Sequence, residues 1–299
     1  MSWDAVLIAG PTAGGKSAAA LALAERIGGI VVNADSMQVY SELRVLTARP
    51  SEADEARVRH RLYGHVSAHE RYSVGRYQDD AARVLEDSRR EGRTPIFTGG
   101  TGLYFDVLTQ GLSPIPPIAA DVRARVRASF DAMGRDAFLA ELIVRDSNAA
   151  KLVASDTQRL LRAADVLEGT GRSLSQWQKM SGKPVLENLN VARFVIAPPR
   201  AILYERIARR FAAMVENGGL DEARNLTGIE PSLPAAKALG LPQLQRHLAG
   251  ELALEDAVAD AQKATRNYVK RQTTWFRNRM SDWKWLEDTE TSNIITFMK

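Results

Sequence analysis

The sequence predicts an α/β fold in which a parallel β-sheet is flanked by helices and an all-helical domain is inserted into the chain. Three observations predict it. Ala5-Val6-Leu7-Ile8-Ala9 and Ile30-Val31-Val32-Asn33 are apolar runs of strand length, and the stretch between them, Lys16 to Ile27, is rich in Ala and Leu and stops at Gly28-Gly29. Strand, helix, strand is a βαβ unit, whose crossover is right-handed and whose sheet is parallel. Gly10-Pro11-Thr12-Ala13-Gly14-Gly15-Lys16-Ser17 fits the phosphate-loop pattern G-x-x-x-x-G-K-[ST], with a strand before it and a helix after it. Residues 119–190 contain no run rich in β-branched residues and read as helix throughout. The prediction is a P-loop NTPase-like core from residues 1–117 and 191–299, with residues 118–190 inserted as a helical domain.

Composition narrows the chemistry. With 299 residues, 45% hydrophobic and 25% charged, the chain can bury a substantial core. It has no cysteine, which excludes disulfides, thiolate catalysis and Cys-based zinc sites and leaves oxygen ligands for any metal. No apolar run approaches the roughly 18 residues of a membrane span, and the first strand begins at Ala5, so a cytoplasmic protein with no membrane partner is expected. A formal net charge of +4 is compatible with a nucleic-acid partner without requiring one.

In the phosphate loop, glycines let backbone N–H groups converge on an anion and the helix start adds partial positive charge. Lys16 supplies a full charge and Ser17 a hydroxyl for Mg²⁺, so the loop reads as a diphosphate or polyphosphate cradle. The second strand ends near Asp35, at the carboxyl edge where ligands of open α/β sheets bind; a turn-forming or helix-capping Asp is the alternative. Ser73 to Arg90 carries Val74, Tyr77, Ala81, Val84 and Leu85 at helical spacing. Thr94 to Thr98 is a third buried strand, leading into Gly99-Gly100-Thr101-Gly102. A nucleoside-triphosphate hydrolase ends such a strand with a carboxylate for Mg²⁺, and this one ends in glycines. That loop can present N–H groups and the Thr101 hydroxyl to a ligand, or serve as a plain turn.

Leu112 to Pro117 reads as a linker. In the insertion, Gln158-Arg159-Leu160-Leu161-Arg162 sets two arginines on one helix face, either for an anionic partner or for solvent. Arg193 to Ala197 returns to the sheet. Arg200 to Glu216 is a helix carrying Arg206, Arg209 and Arg210. Glu255 to Met280 is a long amphipathic helix with Lys263, Arg266, Lys270 and Arg277 opposite Val258, Ala261, Val269 and Phe276. The basic face suits a nucleic-acid backbone or solvent, and Trp275 and Phe276 read as core. Trp283 to Leu286 and Ile294 to Phe297 are candidates for a terminal strand pair. His60, His65 and His69 lack zinc-site spacing.

Several separated segments then add to one resemblance. Gly10 to Ser17, Asp35-Ser36-Met37-Gln38-Val39-Tyr40, Thr47-Ala48-Arg49-Pro50, Tyr72-Ser73-Val74, Gly99 to Tyr104, Gln158-Arg159 and Tyr268 to Arg277 resemble the bacterial tRNA dimethylallyltransferases nearly end to end. The resemblance implies transfer of a dimethylallyl group from dimethylallyl diphosphate to N6 of the adenosine 3′-adjacent to the anticodon. It implies Asp35 as general base and Thr101 as the residue positioning the amine. Lys16, Arg210, Mg²⁺ on Ser17 and the loop N–H groups would stabilise the leaving diphosphate. It implies tRNA contacts at Asp35, Ser36, Met37, Gln38 and Thr101, near Arg123, at Gln158, Arg159, Leu160, Leu161 and Arg162, and around Lys237 to Gln243. A monomer is expected. Asp146-Ser147 and Gly240-Leu241 depart from the resembled pattern, which has Asp-Pro and Gly-Tyr there. A small-molecule or nucleotide kinase is the alternative, with Asp35 as base for a hydroxyl and ATP at Lys16; a noncatalytic RNA-binding protein is another. The arginine-bearing insertion and the basic C-terminal helix weigh against the kinase.

Overall fold

The computed structural model describes residues 3–152, 156–180, 182–287, 294 and 296. Two compact units emerge, one from residues 1–109 and 185–299 and the other from residues 110–184.

The larger unit is organised by six described strands, β1 (Ala5–Ala9), β2 (Ile30–Asn33), β3 (His60–Arg61), β4 (Pro95–Gly99), β5 (Val191–Ile196) and β6 (Lys284–Leu286). They lie in the order β3-β2-β4-β1-β5-β6, and every pairing is parallel. The central strand β1 is buried along its whole length, and alternate residues serve opposite faces. Ala5, Leu7 and Ala9 enter one core, while Val6 and Ile8 enter the other. A parallel sheet covered on both faces needs this continuous apolar run.

The second core is closed by α1 (Lys16–Ile27) through Ala19, Ala20, Leu23 and Ala24. On the first face lie α3 (Val74–Arg90), which buries Tyr77, Ala81, Val84 and Leu85, and α4 (Gly102–Thr109), which adds Tyr104, Phe105 and Leu108. The short α2 (Glu52–Arg57) is held by a capping box between Ser51 and Asp54. After the sheet's return at β5 come α9 (Arg200–Glu216), α10 (Gly219–Asn225), α11 (Leu241–Leu248) and α12 (Leu254–Arg279).

The smaller unit holds α5 (Ala120–Met133), α6 (Arg135–Arg145), α7 (Thr157–Thr170) and α8 (Leu174–Trp177) around its own core of Val126, Phe138, Leu142, Leu160 and Ala163. Its bounds differ from the expected 118–190. Residues 185–190 belong to the larger unit because they lead straight into β5, with Leu186 N–H bonded to the Leu108 carbonyl at 2.9 Å. At the other end, residues 110–117 join the helices.

The terminal strand pair is corrected in part. Lys284–Leu286 is a strand, but it pairs with β5 through Phe194↔Lys284, Val195↔Trp285 and Ile196↔Leu286. Of the segment 294–297, residues 295 and 297 lie outside the described residues, while Ile294 and Thr296 are helical rather than strand. Among the described residues no helix is long and apolar enough to cross a membrane.

Candidate active site

The phosphate loop joins β1 to α1. Its backbone turns through Ala13 at φ 62° and Gly15 at φ 90°. The second suits glycine, while the first holds an alanine in a left-handed conformation that costs on the order of 1 kcal/mol. Lys16 is 9% exposed, and its Nζ donates to the Pro11 carbonyl at 2.7 Å. Its pKa is lowered to about 8, chiefly by burial; the Asp35 carboxylate opposes the shift and the Arg210 charge adds to it. Ser17 is exposed at the first turn of α1.

Helix α9 brings two arginines to this loop, one turn apart. Arg210 donates to the Thr12 hydroxyl at 2.7 Å, and its Nε is buried with no hydrogen-bond partner. Burial lowers its pKa and Asp35 raises it. Arg206 reaches the Ala13 and Gly14 carbonyls at 3.4 Å. From the sequence Arg206 is named only as one of three arginines on this helix, with no role at the site; its i, i+4 spacing from Arg210 was the available signal.

Asp35 stands two residues beyond β2, at the carboxyl edge of the sheet. The fully buried Asn33 aims it: Asn33 Oδ1 accepts the Asp35 N–H at 2.8 Å, and its Nδ2 donates to the carbonyls of Asp35 and Leu62 at 2.9 and 3.0 Å. Asp35 Oδ1 accepts the Met37 N–H at 3.0 Å. Oδ2 is directed to the loop after β4, where a Cβ built on Gly100 would lie 3.2 Å from it. Thr101 closes the arrangement. Its hydroxyl accepts the Ser36 N–H at 2.9 Å and donates to the Ser36 hydroxyl at 3.2 Å. Gln38 spends both amide protons on the Thr47 and Ala48 carbonyls, at 2.8 and 2.9 Å.

These parts line one cleft of about 480 Å³, bounded by Thr12, Ala13, Gly15, Lys16, Ser17, Asp35, Gln38, Thr98, Gly99, Arg206 and Arg210. Asp35 is the carboxylate among its lining residues. Thr98 also lines it, with a buried hydroxyl that has no hydrogen-bond partner. Among the described residues no group of three or more His, Asp or Glu is arranged to hold a metal. His60 is instead bonded to the Val58 carbonyl at 2.7 Å, and His65 lies 3.5 Å from Asp80.

In the smaller unit, Arg123, Gln158, Arg159 and Arg162 are exposed. Leu160 is 2% exposed inside the helical core, so it supports α7 rather than offers a contact surface, while Leu161 is half-buried against that core. On α12, Lys263, Lys270 and Arg277 are exposed while Ala261, Val269 and Phe276 are buried. Trp275 departs from its reading as core: it is 37% exposed, with the Arg279 guanidinium 5.7 Å from its ring. Leu241 is fully buried, so the departure at Gly240-Leu241 falls on an interior position.

A phosphate loop and two arginines facing a carboxylate, with no carboxylate at the end of β4, define an anion-leaving-group transferase on a P-loop NTPase-like fold. The IPP transferase family model matches residues 38–279, and an isopentenyl transferase model matches residues 3–70. The chain belongs to the IPP transferase family. It is 49% identical over 298 residues to a tRNA dimethylallyltransferase of Bradyrhizobium sp. (strain ORS 278), covering 99% of this chain and 97% of that protein. It is 53% identical over 284 residues to that of Azorhizobium caulinodans, covering 93% and 90%. The crystal structure of the full-length tRNA isopentenylpyrophosphate transferase from Bacillus halodurans matches with a TM-score of 0.70 at 30% identity, covering 99% of this chain and 96% of that one.

Proposed function

We propose that this chain transfers the dimethylallyl group of dimethylallyl diphosphate to N6 of the adenosine at position 37, 3′-adjacent to the anticodon, in tRNAs reading codons that start with U. The observation that carries the reading is the juxtaposition, in one cleft, of a cationic phosphate loop with the Asp35 carboxylate. The relatives' activity supports it.

In the transfer, the bond from C1 of the dimethylallyl group to the diphosphate oxygen breaks, and the electron pair leaves with diphosphate. A bond forms from C1 to N6 of adenine, and the N6 proton passes to Asp35. The exocyclic amine is a weak nucleophile, so a carboxylate that takes its proton lowers the barrier. Negative charge grows on the departing diphosphate, where Lys16, Arg210, Arg206 and the N–H groups of the loop oppose it. The unpartnered Nε of Arg210 is a donor for that charge. Thr101 and Ser36 hold the rim on which the amine approaches Asp35.

Mg²⁺ fits this donor set as an ion carried by the substrate. Ser17 lies exposed beside the loop and, among the described residues, no carboxylate cage stands beside it, so diphosphate oxygens and water would complete a hard oxygen shell. When bound, the ion neutralises diphosphate charge.

The adenosine must leave its stack to reach such a cleft. In the smaller unit the exposed Arg123, Gln158, Arg159 and Arg162 are groups to engage tRNA, and in the larger unit the exposed Lys263, Lys270 and Arg277 of α12 offer cations to a nucleic-acid backbone. The protein acts as a cytoplasmic monomer in this reading. The kinase alternative is not favoured, since the relatives are tRNA-modifying transferases.

The test is to incubate the purified chain with Mg²⁺, dimethylallyl diphosphate and unmodified tRNA, then digest the tRNA and weigh its nucleosides. An adenosine bearing one added dimethylallyl mass supports the reading. No added mass, with ATP consumed when small metabolites are supplied, overturns it in favour of the kinase.

A further inference from the structure

Helix α12 reaches the cleft through one interior side chain. Gln272 is 4% exposed, and its amide bridges two segments far away in sequence. Its Oε1 accepts the Thr12 N–H at 2.9 Å, and its Nε2 donates to the Gly100 carbonyl at 2.8 Å. Thr12 belongs to the phosphate loop, and its hydroxyl also takes the Arg210 bond. Gly100 directly precedes Thr101 and faces Asp35 Oδ2. One amide thus ties the loop for the leaving group to the loop beside the base.

The seating is tight. A Cβ on Gly100 would lie 2.3 Å from Gln272 Nε2, and a Cβ on Gly102 would lie 2.1 Å from Trp275 Nε1. Glycine at these two positions makes room for α12. The bridging group must also be an amide. A carboxylate can accept from Thr12 but has no proton for the Gly100 carbonyl, an ammonium can only donate, and an apolar side chain leaves both backbone groups unmet.

We propose that Gln272 is a positioning residue for the transfer reaction. It fixes the separation of the diphosphate cradle from the Asp35–Thr101 rim, so that leaving group and adenine amine meet in line. The proposal rests on the function proposed above. Each substrate still binds to its own loop without Gln272, but the alignment of the two is lost, and a misplacement of about 1 Å costs on the order of 10²-fold in rate.

The test uses Gln272→Met, which has similar volume and neither bond, and Gln272→Glu, which keeps the acceptor for Thr12 and lacks the donor for Gly100. Four quantities are read: kcat with dimethylallyl diphosphate and tRNA, the Kd of inorganic diphosphate, the Kd of tRNA, and amide hydrogen exchange across residues 11–17. For Gln272→Met, kcat should fall roughly 10- to 100-fold while both Kd values move less than about threefold, and exchange in the phosphate loop should accelerate. Gln272→Glu should fall in between. If kcat of both folded variants stays within about twofold of the unaltered chain, the proposal is wrong; it is equally wrong if the whole loss appears as weaker diphosphate binding. Failure of the unaltered chain to modify tRNA would defeat the functional reading, and the exchange measurement would still separate that failure from the presence of the brace.

Discussion

Lys16 and Asp35 stand in the same cleft, yet the loops that carry them are held by different means. The Lys16 loop is folded by consecutive residues between β1 and α1, with Nζ bonded to the Pro11 carbonyl five residues back, and distant side chains tie onto it afterwards, Gln272 and Arg210 at Thr12 and Arg206 at Ala13 and Gly14. The Asp35 rim is assembled from afar: Asn33 bonds to Leu62, Thr101 to Ser36, and Gln272 to Gly100. Charge differs as well. The first rim concentrates three cations, the buried Lys16 and the half-buried Arg206 and Arg210, while the second presents one carboxylate among neutral amides and hydroxyls. The contrast teaches that the cationic rim governs how strongly the diphosphate is held and opposed, and the neutral rim governs where the amine and its proton go. Substitutions on the two sides should therefore separate into affinity effects and rate effects.

The largest effect should come from the base. Asp35→Ala is expected to lower kcat by about 10²- to 10⁴-fold while the Kd of inorganic diphosphate changes by less than about threefold. Equal loss of both in titration and single-turnover experiments would remove Asp35 from the role. On the opposite rim, Lys16→Met should reduce kcat/KM by roughly 10²-fold and raise the Kd of inorganic diphosphate. The same change should stabilise the fold at pH 7. The Lys16 pKa is near 8 in the folded chain against 10.5 for the ordinary group, so the unfolded chain holds the proton more tightly. The buried ammonium costs stability fully below pH 8, and the penalty is relieved as pH rises from 8 to 10.5. Removing it should add on the order of 1 to 3 kcal/mol in denaturant unfolding. A variant that loses stability would contradict this account of the lysine.

A smaller effect follows from the same titration. Lys16 carries its charge below pH 8 and loses it above, so kcat/KM for the diphosphate substrate should decline on the alkaline side with an apparent pKa near 8. Each further pH unit should cost up to about tenfold. In Lys16→Arg the guanidinium keeps its charge through this range, and the decline should vanish even if the plateau is lower. A profile identical in both proteins would assign the titration to another group.

The legibility of the molecule follows the same contrast. β1, the phosphate loop and α1 were readable because strand, glycine turn and helix are consecutive and their apolar periods are plain. Asp35 was readable from its place after a β-branched run. Asn33 was not, because an Asn at a strand end looks like ordinary turn chemistry, as its two bonds to Asp35 are, and its third bond depends on the fold bringing Leu62 near. β3 was missed for a related reason: a two-residue strand has no period, and His60–Arg61 becomes a strand only by pairing with β2. The glycines after β4 were read as ligand-facing or as a turn, and the requirement at Gly100 and Gly102 comes from α12, some 170 residues away. Leu160 illustrates the converse. A motif carried over as a block includes a residue whose helix phase turns it inward, and only the packed core of the smaller unit separates it from Arg159 and Arg162.

The smallest expected effect tests the neutral rim without touching charge. Thr101 accepts the Ser36 N–H and donates to the Ser36 hydroxyl, so Thr101→Val removes both bonds while keeping the side chain's shape. The rim would remain, since Thr101 N–H still bonds to the Ala34 carbonyl at 3.2 Å and Asp35 is still held by Asn33. What is lost is the pair of neutral bonds to Ser36, together on the order of 1 kcal/mol, which corresponds to roughly a 3- to 10-fold change. Because the lost bonds lie on the side where the amine approaches, the change should appear in kcat/KM for tRNA, with the Kd of inorganic diphosphate unaltered. Thr101→Ser retains the hydroxyl and should recover most of the loss. If Thr101→Val instead weakens diphosphate binding, the two rims are not independent, and the Gly100 loop transmits its position to the phosphate loop through the Gln272 amide.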